Sequence, residues 1–157
     1  MFYSNNFKNL KEIQHCFFSR KNGNSKGIYE SLNCGIGSKD ESKSVYKNLE
    51  IVAKNFKIKR RNLILMNQTH SNNVKIIEKE GDNIKVNADA IVTTKDNLAL
   101  GVLTADCAPI LFFETKKKII GCIHAGWKGA INGIIENTLE KIKELGGDIN
   151  KMTVCIG

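Results

Sequence analysis

The chain has 157 residues, 41% hydrophobic and 25% charged, which suits one globular domain with a packed core. Its net charge of +8 comes mostly from scattered lysines, with Arg20, Arg60 and Arg61 the only arginines. The basic clusters at 57–61 and 116–118 lack interleaved aromatics, so nucleic-acid binding is not expected. The apolar runs are too short and interrupted to span a bilayer, and the N-terminus lacks the basic-then-apolar pattern of a secretory leader; the expectation is a cytoplasmic chain with no membrane partner.

Taken in chain order, residues 13–19 ("IQHCFFS") read as a strand, followed by a polar, glycine-containing loop over 20–40. Val45, Leu49, Val52 and Phe56 recur at helical spacing and predict a helix from Glu41 to Phe56. Strand-like runs follow at 62–68, 73–80, 89–94, 98–104, 109–114 and 118–125, separated by short polar turns. A second helix is expected from about Gly126, with Trp127, Ile131, Ile134, Ile135, Thr138, Ile142 and Leu145 on one buried face and Gly146–Gly147 as its stop. Trp127 is read as the anchor of that face. The last stretch, "MTVCIG", is a half-buried strand in which Met152, Val154 and Ile156 alternate with Lys151, Thr153 and Cys155. Strands predominate in the middle, joined by turns too short for crossover helices. The expected fold is α+β or layered α/β, with a mixed, largely antiparallel sheet flanked by helices.

The five cysteines are odd in number, form no CxxC pair and have no framework spacing, so they read as thiols or metal ligands rather than disulfides. Three polar residues stand at ends of apolar elements, where loops carry chemistry on a rigid scaffold. His70 lies in "NQTHSNN", Cys107 in "TADCAP" and His124 in "CIHAGW". Two imidazoles and a thiol make a zinc set with a fourth position left open. Each residue also has a plainer reading: a histidine at a strand end as a hydrogen-bonded cap, and Cys107 as a small core residue. His15 and Cys16 point to opposite faces of their segment and read as structural; burial is the simplest account of Cys122.

The stretches "NQTHSNNV", "ADAIVTT", "LGVLTADCAPILFF" and "GCIHAGWKGAINGIIENT", with "GIYESLNCGIGSKDE" before them, resemble the laccase-domain family in order and spacing. Members carry names such as polyphenol oxidase, purine nucleoside phosphorylase and peptidoglycan editing factor. The resemblance implies that His70, Cys107 and His124 bind a catalytic metal, zinc by the usual description, with copper as the alternative. It also implies small-molecule partners, purine nucleosides and phosphate. The reactions implied are phosphorolysis of adenosine, inosine and methylthioadenosine, and deamination of adenosine. Asn33 and Gln68 are then candidates to orient the nucleoside, and Lys128 and Arg20 to meet phosphate. Asp106 is the nearest carboxylate to the ligand cysteine, a candidate base or orienter. Lys128 stands where the family's pattern has arginine, which keeps the charge and loses the bidentate fork.

Alternative readings are copper-dependent phenol oxidation, metal-free hydrolysis of a peptidoglycan precursor with Cys107 as nucleophile, and a chain without catalysis. The family pattern continues with "G-P-x-I-G" and a further stretch, and this sequence stops at Gly157, the first glycine of that run. The expectation is one laccase-like domain over 1–157 that ends before the family's domain does. It would expose a sheet edge with an apolar patch, and its stability and activity would suffer accordingly. Nothing in the sequence specifies an oligomeric state.

Overall fold

Strand alternation divides the molecule into layers. In the computed structural model, which describes residues 1–79 and 86–157, seven strands and three α-helices are formed. A five-stranded sheet runs in the order β2 (Val74–Ile76), β3 (Ala90–Thr93), β6 (Ile119–Ala125), β5 (Ala108–Glu114), β7 (Met152–Ile156). β2 and β3 are parallel and the remaining pairs antiparallel. A separate two-stranded parallel ribbon joins β1 (Leu63–Leu65) to β4 (Ala99–Gly101). The expected mixed, largely antiparallel sheet flanked by helices is the observed one.

One face of the sheet, carrying Ala90, Val92, Ile110, Phe112, Ile119 and Ile123, packs against Ile134 and Ile142 of α3 (Ile134–Glu144). The opposite face carries Ile91 and Cys122 and packs against Ile64 and Leu100 of the ribbon. Leu63 and Leu65, on the other side of β1, meet Val45, Leu49 and Ala53 of α1 (Ser42–Asn55). The period of two in "LIL" thus lets one short strand join two apolar layers. Among the described residues no helix is long and apolar enough to cross a membrane.

Several expectations need correction. Residues 13–19 form no strand: among the described residues Phe17 makes one isolated antiparallel bridge with Phe2. The expected strand at 73–80 is regular only over Val74–Ile76, and Glu80 lies outside the described residues. The second helix is two, because Gly133 sits in the left-handed region at φ 85° and separates α2 (Trp127–Ile131) from α3. That break changes the helical phase. Ile134, Thr138 and Ile142 are buried as expected, whereas Trp127 and Ile131 are 74% and 78% exposed and Ile135 is also exposed. Trp127 is therefore not a core anchor. Gly146, at φ 77°, follows the end of α3 as the double glycine suggested.

β7 is correctly placed but faces otherwise than its sequence suggests. Cys155 is buried, and Val154 and Ile156 are exposed. α3 packs over β2, β3 and β6, so it leaves that side of the end strand uncovered beyond Met152. All five cysteines are free thiols.

Candidate metal centre

Strand register assembles the site. In the β5–β6 ladder Ala108 pairs with Ala125 and Pro109 with His124, so Cys107, one residue before β5, comes opposite Gly126. In the β3–β6 ladder Ala90 pairs with Ile123, and the His124 amide donates to the Asp89 carbonyl at 2.7 Å. The third contributor is the loop after β1. Gln68 ties it down by donating from Nε2 to the Leu103 carbonyl at 2.6 Å and accepting from the Leu103 amide at 2.9 Å. This amide clamp joins the loop bearing His70 to the loop leading to Cys107.

The result is that His70, Cys107 and His124 each offer one ligand atom, all within 4.8 Å of one another. Cys107 Sγ stands 3.7 Å from His70 Nε2. Two atoms bound at about 2.0–2.3 Å to one tetrahedral ion lie roughly 3.3–3.8 Å apart; the Cys107–His70 pair already stands at that spacing, and a limit of 4.8 Å for the whole set leaves at most about 1 Å of closure for a shared ion. The imidazole rings meet edge to face, centroids 4.7 Å apart. His124 is buried, Cys107 half-buried and His70 exposed, so the centre opens on one side to solvent. Gly126 makes this approach feasible: a Cβ there would stand 2.7 Å from His70 Cδ2 and 3.2 Å from Cys107 Sγ.

The carboxylate that organises these groups is Asp89, which sequence reasoning missed. It is fully buried, and its Oδ1 accepts from His124 Nδ1 at 2.8 Å and from the His70 amide at 3.0 Å. Its Oδ2 accepts from the Ser71 amide and hydroxyl at 2.7 and 2.6 Å and from the Thr69 amide at 3.2 Å. Burial pushes this carboxyl up, but the hydrogen bonds from Ser71, His124 and Thr69 outweigh it and bring it down to about 2. The available signal was a lone acid in front of a largely apolar strand, "DAIVT", a position that cannot be buried without donors.

The other sequence candidates are placed as follows. Asp106 is exposed, 3.8 Å from Cys107 Sγ. The Cys107 thiol is raised above its ordinary value, first by burial and then by the charges of Asp106 and Asp89. Asn33 engages its own turn, donating to Ser38 and Asp40 and accepting from the Gly35 amide. The Arg20 guanidinium donates to the Glu30 carbonyl from both Nε and Nη2. Both residues, with Gln68, line the open cleft of about 1890 Å³ that also reaches His70, Cys107 and His124. Lys128 is exposed in the first turn of α2 and does not line that cleft. His15 accepts the Ser4 amide on Nε2 and packs edge-on against Phe7, a structural role.

Comparison with known proteins gives a consistent picture. The family model described as multi-copper polyphenol oxidoreductase laccase matches residues 14–157. A purine nucleoside phosphorylase of Corynebacterium glutamicum is 36% identical over 94% of this chain and 61% of its own length. A purine nucleoside phosphorylase of Bacteroides thetaiotaomicron is 31% identical over 92% of this chain and 57% of its own. Among crystal structures, the hypothetical protein YfiH of Bacillus licheniformis superposes with a TM-score of 0.82 at 26% identity, over 88% of this chain and 55% of that one. Neisseria meningitidis protein NMB0706 gives 0.77 at 33% identity, over 88% and 54%. The chain thus spans little more than half the length of the relatives it matches.

Proposed function

Since the chain belongs to the multi-copper polyphenol oxidoreductase laccase family, we propose that His70, Cys107 and His124 hold a zinc ion and that the site splits purine nucleosides with phosphate. The observation that carries this reading is the convergence of the three ligand atoms within 4.8 Å at the wall of an open cleft. The names of the curated relatives supply the substrate class. When bound, zinc supplies a Lewis acid with one open position.

The chain's own residues do the rest. His124 presents Nε2 from a buried, fixed ring, and His70 and Cys107 close the set from the solvent side. In phosphorolysis a phosphate oxygen forms a bond to ribose C1′ as the bond from C1′ to the base nitrogen breaks. The base leaves with that electron pair and takes up a proton. We assign the proton transfer to exposed Asp106 beside the centre, and the approach of phosphate to the cation of Arg20 on the cleft wall. Gln68 and Asn33, whose amides are engaged with neighbouring groups, shape the nucleoside's side of the cleft. Adenosine deamination is the second reaction assigned to the cleft: a water oxygen bonds to C6 of adenine, the bond from C6 to the amino nitrogen breaks, and ammonia leaves to give inosine.

Copper oxidation of phenols is a weaker fit. A His₂Cys set does suit copper, but a multi-copper site needs more imidazoles, and the third histidine, His15, is bonded to the Ser4 amide. The test is metal analysis of the purified chain together with incubation in adenosine and inorganic phosphate. Zinc in the chain and phosphate-dependent adenine release that Cys107→Ala abolishes are expected. Inosine and ammonia formed without phosphate would instead make deamination the principal reaction. Copper with phenol turnover, or no metal and no nucleoside turnover, overturns the proposal.

A further inference from the structure

The geometry points to Asp89 as the positioning residue of the centre: one buried carboxylate that sets the tautomer of His124 and holds the backbone of His70. The inference rests on the reading of this site as a metal centre. It goes beyond that reading by assigning a role to a residue that touches no substrate and offers no ligand atom to the trio.

Two independent observations meet on this one side chain. On Oδ1, the bond from His124 Nδ1 at 2.8 Å requires the ring proton to sit on Nδ1, because the ionised carboxylate only accepts. The lone pair of His124 then lies on Nε2, the nitrogen left free to face His70 and Cys107. A histidine whose tautomer is fixed in this way needs no proton rearrangement when a metal arrives.

The second observation concerns His70 itself. Its φ is 57°, in the left-handed region that side-chain-bearing residues rarely enter. The amides of Thr69, His70 and Ser71 all point at the Asp89 carboxylate, at 3.2, 3.0 and 2.7 Å. Successive N–H groups curled around an anion form a nest, and here the anion is the side chain of the residue just before β3. The unusual backbone of His70 and the ring orientation of His124 thus have one cause. Ser71 adds its hydroxyl at 2.6 Å. Without the carboxylate, three amides and an imidazole proton would lose their common partner.

Asp89→Asn is the informative change because it keeps the shape. An amide has one acceptor oxygen and one NH₂ group. If the oxygen keeps the Oδ2 place beside Thr69 and Ser71, the NH₂ takes the Oδ1 place, faces His124 Nδ1 and drives the ring proton to Nε2, the metal-facing nitrogen, while the His70 amide loses its acceptor. The experiment is zinc titration against a competing chelator, alongside long-range ¹H–¹⁵N NMR of the histidine rings in the metal-free chain. Ser71→Ala is measured in parallel as a milder variant that leaves all three ligands and the charge in place.

Expected are His124 protonated on Nδ1 in the wild type, loss of that signature in Asp89→Asn, and zinc affinity lower by about 10–100-fold. Ser71→Ala should lose affinity by a smaller factor and keep the tautomer. Should Asp89→Asn fail to fold, the wild-type tautomer and the Ser71→Ala affinity still decide the matter. Wild-type His124 protonated on Nε2, or wild-type zinc affinity in both variants, overturns the role of Asp89. Failure of the wild type to bind zinc at all, with the Nδ1 tautomer intact, instead overturns the metal reading.

Discussion

Two fully buried polar side chains each gather loops from distant parts of the sequence, and they differ in what they leave behind. Asn48, on α1, accepts from the Asn24 amide at 2.6 Å and donates to Ser25 Oγ and to the carbonyls of Ser31 and Asn33. Asp89, at the start of β3, accepts from the 69–71 loop and from His124. The neutral amide has donors and acceptors, so it satisfies backbone groups of both kinds and nothing protrudes. The carboxylate has only acceptors, so one donor can be an imidazole whose other nitrogen faces outward. The first hub ends in structure, and the second ends in an aimed imidazole. This explains why Asn33 and Arg20, close to the Asn48 hub, have their polar groups turned onto their own loop, while His70 and His124 are presented to the cleft.

The comparison can be broken most strongly at Asn48. Asn48→Ala leaves several inward-facing backbone groups of the 24–33 loop without their partner, and a loss of about 2–3 kcal/mol is expected. Urea and thermal unfolding should show it, with Tm falling by about 5–10 °C, while zinc affinity stays at the wild-type value. A large loss of zinc affinity in this variant would mean that the two hubs are not separate. Somewhat smaller is the acid limb of the metal-free chain. Asp89 ionises at about 2 in the folded state against an ordinary 3.8. The ionised form is therefore favoured by folding. Its contribution, about 2 kcal/mol, is complete above pH ~4 and is lost as pH falls through ~2. Urea unfolding at stepped pH should show this limb in the wild type and a flatter one in Asp89→Asn; identical limbs would show that the carboxylate is not held as described.

The layers were legible because their signals are local. Helical spacing over Val45, Leu49 and Val52 and alternation in "LIL" and "AIVT" depend on neighbours in sequence, and α1, β1 and β3 formed where expected. The three converging side chains were legible because His70, Cys107 and His124 each stand in a polar stretch or junction at the end of an apolar element. What failed depends on contacts made later. The phase of the second helix was lost at Gly133, whose left-handed backbone no periodicity count anticipates. The inward side of β7 is decided by where α3 stops covering the sheet. Asp89 was passed over because a lone acid before a strand looks like a turn residue. Only the ladder that sets it beside His124, and the loop that folds three amides onto it, reveal its surroundings.

The smallest expected signal is a single proton, and it tests what the Asp89 hub leaves for Cys107. Burial, followed by the charges of Asp106 and Asp89, holds this thiol above its ordinary value of 9.0. Asp89 thus favours the imidazole it touches and disfavours the thiolate it does not touch. At pH 7 the metal-free side chain is a protonated thiol, a poor nucleophile, with His70 Nε2 at 3.7 Å. A metal takes only the thiolate, so binding must expel that proton. Zinc affinity should then rise about tenfold per pH unit from pH 7 up to the thiol's own range, since one proton is exchanged for one metal. Calorimetric titration with zinc in two buffers of different ionisation heat measures the proton directly, and Cys107→Ser should remove it. Alkylation of the metal-free chain by iodoacetamide at pH 7 should be slow, and slower still with zinc bound. Rapid alkylation with no proton released would mean that the thiolate already exists in the metal-free chain, so that burial and the charges of Asp106 and Asp89 do not hold this thiol as described.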